Sequence, residues 1–134
     1  MFARILIAFA ATCLAIGLTT PGWAQAIPGV SDEETTIAYA GEDGIREYHF
    51  GGGDSLYVRD RRGDWYRVGL NEGCLSGMGG LNGETMIFRV GSDQRLDTFS
   101  RVYFEQARRN CGVRSIRRSV APPQVDSQSP IPLG

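Results

Sequence analysis

From Gly41 onward, clusters of glycine, aspartate and asparagine interrupt the chain at short intervals. They fall at Gly41-Glu42-Asp43-Gly44, Gly51-Gly52-Gly53-Asp54, Arg62-Gly63-Asp64, Gly73 to Gly83, Gly91-Ser92-Asp93 and Asn110-Cys111-Gly112. Between them lie only short apolar-aromatic runs: IREYHF (45–50), LYVRD (56–60), WYRVGL (65–70), TMIFRV (85–90), RVYFE (101–105) and VRSIR (113–117). Runs this short, rich in β-branched and aromatic residues and bounded by turn formers, read as strands of an antiparallel arrangement. The expected fold is mainly β: a single small antiparallel sheet or partly open barrel.

The runs alternate, so faces can be assigned. Tyr66, Val68 and Leu70 share one side, with Trp65 and Arg67 opposite. Met86, Phe88 and Val90 share one side, with Ile87 and Arg89 opposite. Leu56 and Val58 pair inward and Tyr57 points outward. One buried face per strand suits a curled sheet. Asp60 to Asp64 fits a hairpin loop, which makes its Arg-Gly-Asp tripeptide a turn rather than an adhesion motif. Leu96 to Arg101 is read as one helical turn before the next strand. At Ser31 to Glu34 two signals compete: a capping box favours a helix start, while Thr35-Thr36-Ile37 favours extended chain.

The ends differ from the middle. Arg4, the apolar run Ile5 to Leu18 and Ala24-Gln25-Ala26 have the form of a secretory signal peptide over residues 1–26. The apolar run is shorter than the roughly 20 residues a membrane span needs. Cys13 lies inside that run, where a lipoprotein cysteine would follow it. The expected product is a soluble, periplasmic or secreted chain starting at Ile27, with no stable membrane anchor after cleavage. Residues 27–118 are read as one mainly β domain, with its folded part from about Thr35. Residues 119–134, SVAPPQVDSQSPIPLG, are read as a disordered Pro-rich tail.

Two cysteines remain after cleavage, Cys74 and Cys111. In an oxidising compartment an even count reads as a disulfide. Two thiols and one widely spaced histidine do not make a closed zinc site. In the chain-entropy view, closing that loop contributes roughly 4 kcal/mol. That is a large share of a small domain's stability.

Charge is balanced but uneven. Acids dominate from Ser31 to Asp60, and arginines from Arg89 to Arg118. All 14 basic residues are arginine. The chain therefore holds no phosphate-loop lysine, Schiff-base lysine or lysine general base.

Gly53-Asp54-Ser55-Leu56 spells the quartet around the nucleophilic serine of the GDSL esterases and lipases. The rest of that machinery is missing. The only histidine, His49, precedes the serine, no Asp-x-x-His block follows, and Leu56-Tyr57-Val58 starts a strand where the enzymes start a helix. A serine without a base is a poor nucleophile, so the quartet is read as a turn held by Asp54 or Ser55. His49 is read as a strand residue; if it acts, Glu47 lies two residues back on the same face. The glycine-rich stretch after Cys74 has neither dinucleotide nor phosphate-loop spacing. It is read as a loop anchored by Cys74. The acid pairs Glu33/Glu34 and Asp60/Asp64 carry no glycosidase or calcium pattern. No catalytic residue, metal site, cofactor or nucleic-acid partner is implied.

Four segments taken in order resemble the family known as domain of unknown function 6491, small exported proteins of Gram-negative bacteria. The matching residues are Gly44, Ile45 and Arg46; Leu56, Tyr57 and Val58; Trp65 and Tyr66; Cys74; Leu96, Asp97, Phe99 and Ser100; and Cys111, Val113 and Ser115. They span about residues 35 to 120. The resemblance implies export and a disulfide, and it implies no activity.

The functional expectation is a non-enzymatic binding or envelope-accessory module whose partner is a protein or an envelope component. Aromatic and arginine side chains are enriched at contact hot spots. The expected contact surface comprises Trp65, Tyr66, Tyr57, Arg67, Arg108 and Arg109, with Tyr48 and Tyr103 among the exposed aromatics. One alternative is an anionic-polymer binder using Arg108, Arg109, Arg114, Arg117 and Arg118. The other is an enzyme using His49 with a nearby carboxylate.

Overall fold

The turn formers do break the chain into strands. A computed structural model describes residues 27–78 and 84–122, and every named element in it is a strand. These are β1 (Val30–Glu34), β2 (Ile45–Phe50), β3 (Ser55–Asp60), β4 (Trp65–Leu70), β5 (Met86–Arg89), β6 (Arg101–Phe104) and β7 (Arg109–Ser119). The expected signal peptide, most of the expected tail and residues 79–83 of the glycine-rich stretch lie outside the described residues.

The strands form one antiparallel sheet in the order β2-β3-β4-β7-β6-β5, with β1 on β7. It curls into a half-barrel. Register shifts between Ile45 and Glu47 and between Gly69 and Leu70 bend the strands where they occur. Gly69 faces Ser115 across the β4–β7 ladder, and a Cβ there would overlap the Ser115 hydroxyl. A larger residue there would require the Ser115 hydroxyl to rotate away.

The alternation read from the sequence sets the core. Leu56 and Val58 from β3, Tyr66, Val68 and Leu70 from β4, Val102 and Phe104 from β6, and Val113 and Ile116 from β7 are all buried. Ile37 and Leu96 bridge to each other outside the strands and plug the same core at 0% exposure. Each such side chain contributes about 1.5–3 kcal/mol by leaving water.

Four sequence expectations change. The capping box at Ser31 is extended chain: it forms β1 and pairs with β7, so the folded part begins before Thr35. Asn110-Cys111-Gly112 is not a turn but the start of the eleven-residue β7. The reversal comes earlier, where Arg108 takes a φ of 51°. The expected helical turn at Leu96 is a bridge followed by a compact turn. There the Asp97 side chain accepts from Phe99 N (2.9 Å) and the Ser100 hydroxyl (2.9 Å). Those short-range bonds satisfy the backbone without a helix. Finally, Tyr57 lies on the face opposite the core yet is 0% exposed. The Arg67 guanidinium, 6.0 Å from its ring centre, and the close backbone of Gly51 cover it.

Cys74 and Cys111 form the disulfide, with Cα atoms 5.9 Å apart. It ties the loop after β4 to β7. Asp54 holds the same loop from the other side, accepting from Gly73 N (2.8 Å) and Leu75 N (3.0 Å). Arg109 donates to the carbonyls of Cys74 (2.8 Å) and Ser76 (2.7 Å). The Asp60–Asp64 hairpin forms as expected. Asp60, 3% exposed, accepts from Arg62 N (2.9 Å) and Asp64 N (3.0 Å).

Candidate functional site

Ser55 opens β3 and is 2% exposed. Its hydroxyl donates to the Gly52 carbonyl at 2.6 Å. Asp54 is engaged with the Cys74 loop. Both side chains of the quartet therefore close turns, and the serine's proton points at a carbonyl rather than at a base.

The polar face of β2, β3 and β4 carries a connected cluster. Register places Glu47 opposite Arg59 and Arg59 opposite Trp65; it places His49 opposite Tyr57 and Tyr57 opposite Arg67. One carboxylate oxygen of Glu47 meets His49 Nε2 at 2.7 Å and the other meets Arg59 at 2.7 Å. The Arg59 guanidinium lies 5.8 Å from the Trp65 ring centre, and the His49 ring lies 5.7 Å from that same ring, tilted by 33°. The His49, Glu47 and Arg59 side chains are 33%, 36% and 43% exposed. Ion pairs this open to solvent add at most about 1 kcal/mol each to stability. Their effect is geometric: they hold an aromatic ring and a cation in fixed positions at the surface.

The six residues of the expected contact surface do not converge. Trp65 and Arg67 share the polar face of β4 and are half-buried. Tyr57 is wholly buried on that face, and Tyr66 is 1% exposed on the core face. Neither offers a ring to a partner, because the alternation that exposes Trp65 turns Tyr66 inward and Arg67 lies over Tyr57. Arg108 is exposed at the β6–β7 reversal, and Arg109 is used to dock the Cys74 loop. Arg67 pairs with Arg117, eight positions along β7 from Arg109. That separates the two groups by about 26 Å at strand rise.

The arginines of β7 are likewise divided. Arg117 pairs with Glu34 at 3.1 Å. Arg118 turns to the other face, 3.8 Å from Asp64 and with its guanidinium 5.4 Å from the Tyr66 ring centre. Arg114 is exposed further along the strand. Arg117 and Arg118 thus lie on opposite faces, while Arg114 lines a pocket together with Arg67.

Two features were not read from the sequence. The first is Phe99, 93% exposed on the turn held by Asp97 and Ser100. The second is a cleft of about 510 Å³ where the two ends of the sheet, β2 and β5, approach each other. Glu42, Asp43, Arg46, Tyr48, Glu84 and Met86 are among its lining residues. Tyr48, expected outside, faces into this opening, and its hydroxyl donates to the Glu84 carbonyl. Burial and the nearby Glu84 carboxylate, in that order, raise the Tyr48 phenol above its ordinary pKa. Burial also raises Tyr66, with Arg118 opposing the shift.

Among the described residues no group of histidine, cysteine, aspartate and glutamate is arranged to hold a metal ion, and no helix is long and apolar enough to cross a membrane. A scan against protein-family models, a search of curated proteins and a search of solved structures each found no match to this chain.

Proposed function

We propose that the protein is an exported, disulfide-stapled binding module that presents the polar face of β2–β4 to a protein or envelope component. The observation that carries this reading is the pinned Glu47–His49–Arg59–Trp65 cluster. An indole and a guanidinium held together at the surface lose little freedom on binding, which is the condition under which such residues act as hot spots. Export accords with the disulfide, because a thiol pair is kept oxidised outside the cytoplasm. The resemblance to the domain of unknown function 6491 family implies export and the disulfide, and it implies no activity.

The test is crosslinked capture from a cell-envelope lysate by the chain from Ile27 to Gly134. The unaltered protein is expected to retain a discrete component, and Trp65→Ala with Arg59→Ala is expected to lose it at an unchanged unfolding midpoint. Retention that ignores both substitutions would remove the polar face as the contact surface. A second reading rests on the 2.7 Å His49–Glu47 contact, which has the form of a general-base pair. It is excluded by any detected activity that survives His49→Ala.

A further inference from the structure

Further along the polar face from Trp65, a pocket of about 410 Å³ opens over β3, β4 and β7. Small residues make its floor. Ser55 pairs with Gly69 and Gly69 with Ser115, so one cross-strand row carries two serines and no larger side chain. The next row is Tyr57, Arg67 and Arg117, which stands Arg67 at the edge of that floor. A register shift on β7 supplies a second cation. Gly69 faces Ser115 and Leu70 faces Val113, so Arg114 has no partner position on β4. Val113 and Ile116 both stay in the core, and the extra residue between them lets Arg114 and Ser115 leave it together. Bulges re-aim side chains in this way and are over-represented beside functional sites.

The charge of Arg67 is poorly answered. Its side chain is half-buried over the Tyr57 ring, and among the described residues no carboxylate pairs with it. Its Nη2 donates to the Gly52 carbonyl at a long 3.4 Å, and its Nε is buried with no hydrogen-bond partner. Directly opposite stands Arg117, which takes Glu34 for itself. A charged donor left unsatisfied away from water is costly, and an anion close by offsets that cost. Arg114 is exposed and likewise has no acid partner among the described residues. Asp54 and Glu72 also line the pocket. Asp54 turns both oxygens to the Cys74 loop, accepting from Gly73 N and Leu75 N, and Glu72 is exposed. One negative charge can therefore sit against the guanidinium pair, while a second adds repulsion from the two acids. Leu70 is the one apolar side chain among the described lining residues, so the site suits a polar ligand.

We propose that this pocket binds a small polar monocarboxylate, whose carboxylate is held by Arg67, Arg114 and the Ser115 hydroxyl. A guanidinium fork matches the two oxygens of a carboxylate. Ser115, whose hydroxyl lies over Gly69, is placed to donate as well. The pocket volume leaves room for the rest of a ligand of sugar-acid size. Neither Trp65 nor Arg59 lines it, so the site does not rest on the contact-surface reading.

The experiment titrates the chain from Ile27 to Gly134 with three probes at constant ionic strength: glucuronate, glucose as its uncharged counterpart, and sulfate. Backbone amide resonances report binding. Glucuronate is expected to shift Gly69, Arg114 and Ser115 and to saturate, with a dissociation constant at or below about 10 mM. Glucose is expected to bind at least about tenfold more weakly, and sulfate at least about threefold more weakly. Arg67→Gln and Arg114→Gln are each expected to weaken glucuronate binding by about threefold or more. Arg114 is exposed, so its variant stays informative should Arg67→Gln fail to fold. Arg118→Ala removes a positive charge from the other face and is expected to leave binding unchanged. The readout needs no envelope component, so failure here and failure of capture are separate results. Absence of a saturable shift, or equal binding of glucuronate and glucose, would overturn the proposal. So would equal losses in Arg114→Gln and Arg118→Ala, which would assign the effect to overall surface charge. Tighter binding of sulfate than of glucuronate would also overturn it, making the pocket a site for inorganic oxyanions.

Discussion

β7 and β2 carry similar sequence patterns, apolar residues alternating with charged ones, but they end in opposite situations. β7 pairs with β4 on one side and with β6 and β1 on the other. Beside it the disulfide, Asp54 and Arg109 all fasten the loop after β4. Among the described residues β2 pairs with β3 alone, and it lines the cleft. Cross-links and buried hydrogen bonds are concentrated at the centre of the sheet. At the ends, β5 has only four residues and β2 carries a register shift between Ile45 and Glu47, two features by which native proteins keep edges from pairing indiscriminately. In this molecule stability and availability occupy different strands.

The strongest challenge to that contrast is removal of the staple. Replacing both Cys74 and Cys111 with serine is expected to cost about 2–4 kcal/mol in denaturant unfolding. Mass spectrometry of the native protein should find no free thiol before reduction. A loss too small to shift the midpoint would mean that Asp54 and Arg109 dock the loop alone. Asp54→Ala is expected to cost about 1–3 kcal/mol, since it leaves the Gly73 and Leu75 amides unpaired. Because Asp54 and the disulfide hold one loop, the combined loss should differ from the sum of the two. At the β2 end, a Cβ on Gly44 would overlap the Tyr39 carbonyl oxygen, so Gly44→Ala is expected to cost about 1–3 kcal/mol.

Smaller effects come from single aromatic side chains. The Tyr48 and Tyr66 phenols are raised by burial, so folding favours their neutral forms. Their contribution to stability is complete below the ordinary phenol pKa of about 10 and is lost as pH rises through the higher folded values. Absorbance titration should show Tyr48 and Tyr66 ionising late, and Tyr48→Phe should remove the first of these at a cost of about 1 kcal/mol. The smallest effect belongs to Phe99. It is almost fully exposed, and Phe99→Ser should change stability by no more than about 0.5 kcal/mol. A loss well beyond that would show that Phe99 packs against the domain in solution.

Six of the seven strands and most of their inner faces were legible because period-2 alternation and turn residues are local signals, while β1 carries competing signals for helix and for extended chain. Tyr66, Val68 and Leu70 fall where their spacing places them. Strand order is not local. Nothing in LYVRD shows that Arg67 of the next strand will cover Tyr57, and nothing in IREYHF shows that β2 ends the sheet. The disulfide was legible from two cysteines and the expected compartment, while the dependence of its loop on Asp54 was not, since those residues lie about twenty positions apart. The arginines of β7 were legible as charge but not as a face, because a strand sends successive side chains to opposite sides. The cleft was invisible in sequence because its two walls come from the two ends of the sheet order.

Hydrogen exchange of the unliganded chain, read amide by amide, tests the central contrast most directly. The amides of β3, β4 and β7 should exchange slowest, near the global unfolding limit. The amides of Tyr48, Met86 and Phe88 should exchange orders of magnitude faster than their ladder-bonded neighbours His49 and Ile87. Equal protection along β2 and β5 would mean that those edges are already paired, and the division between a fastened centre and available ends would be wrong.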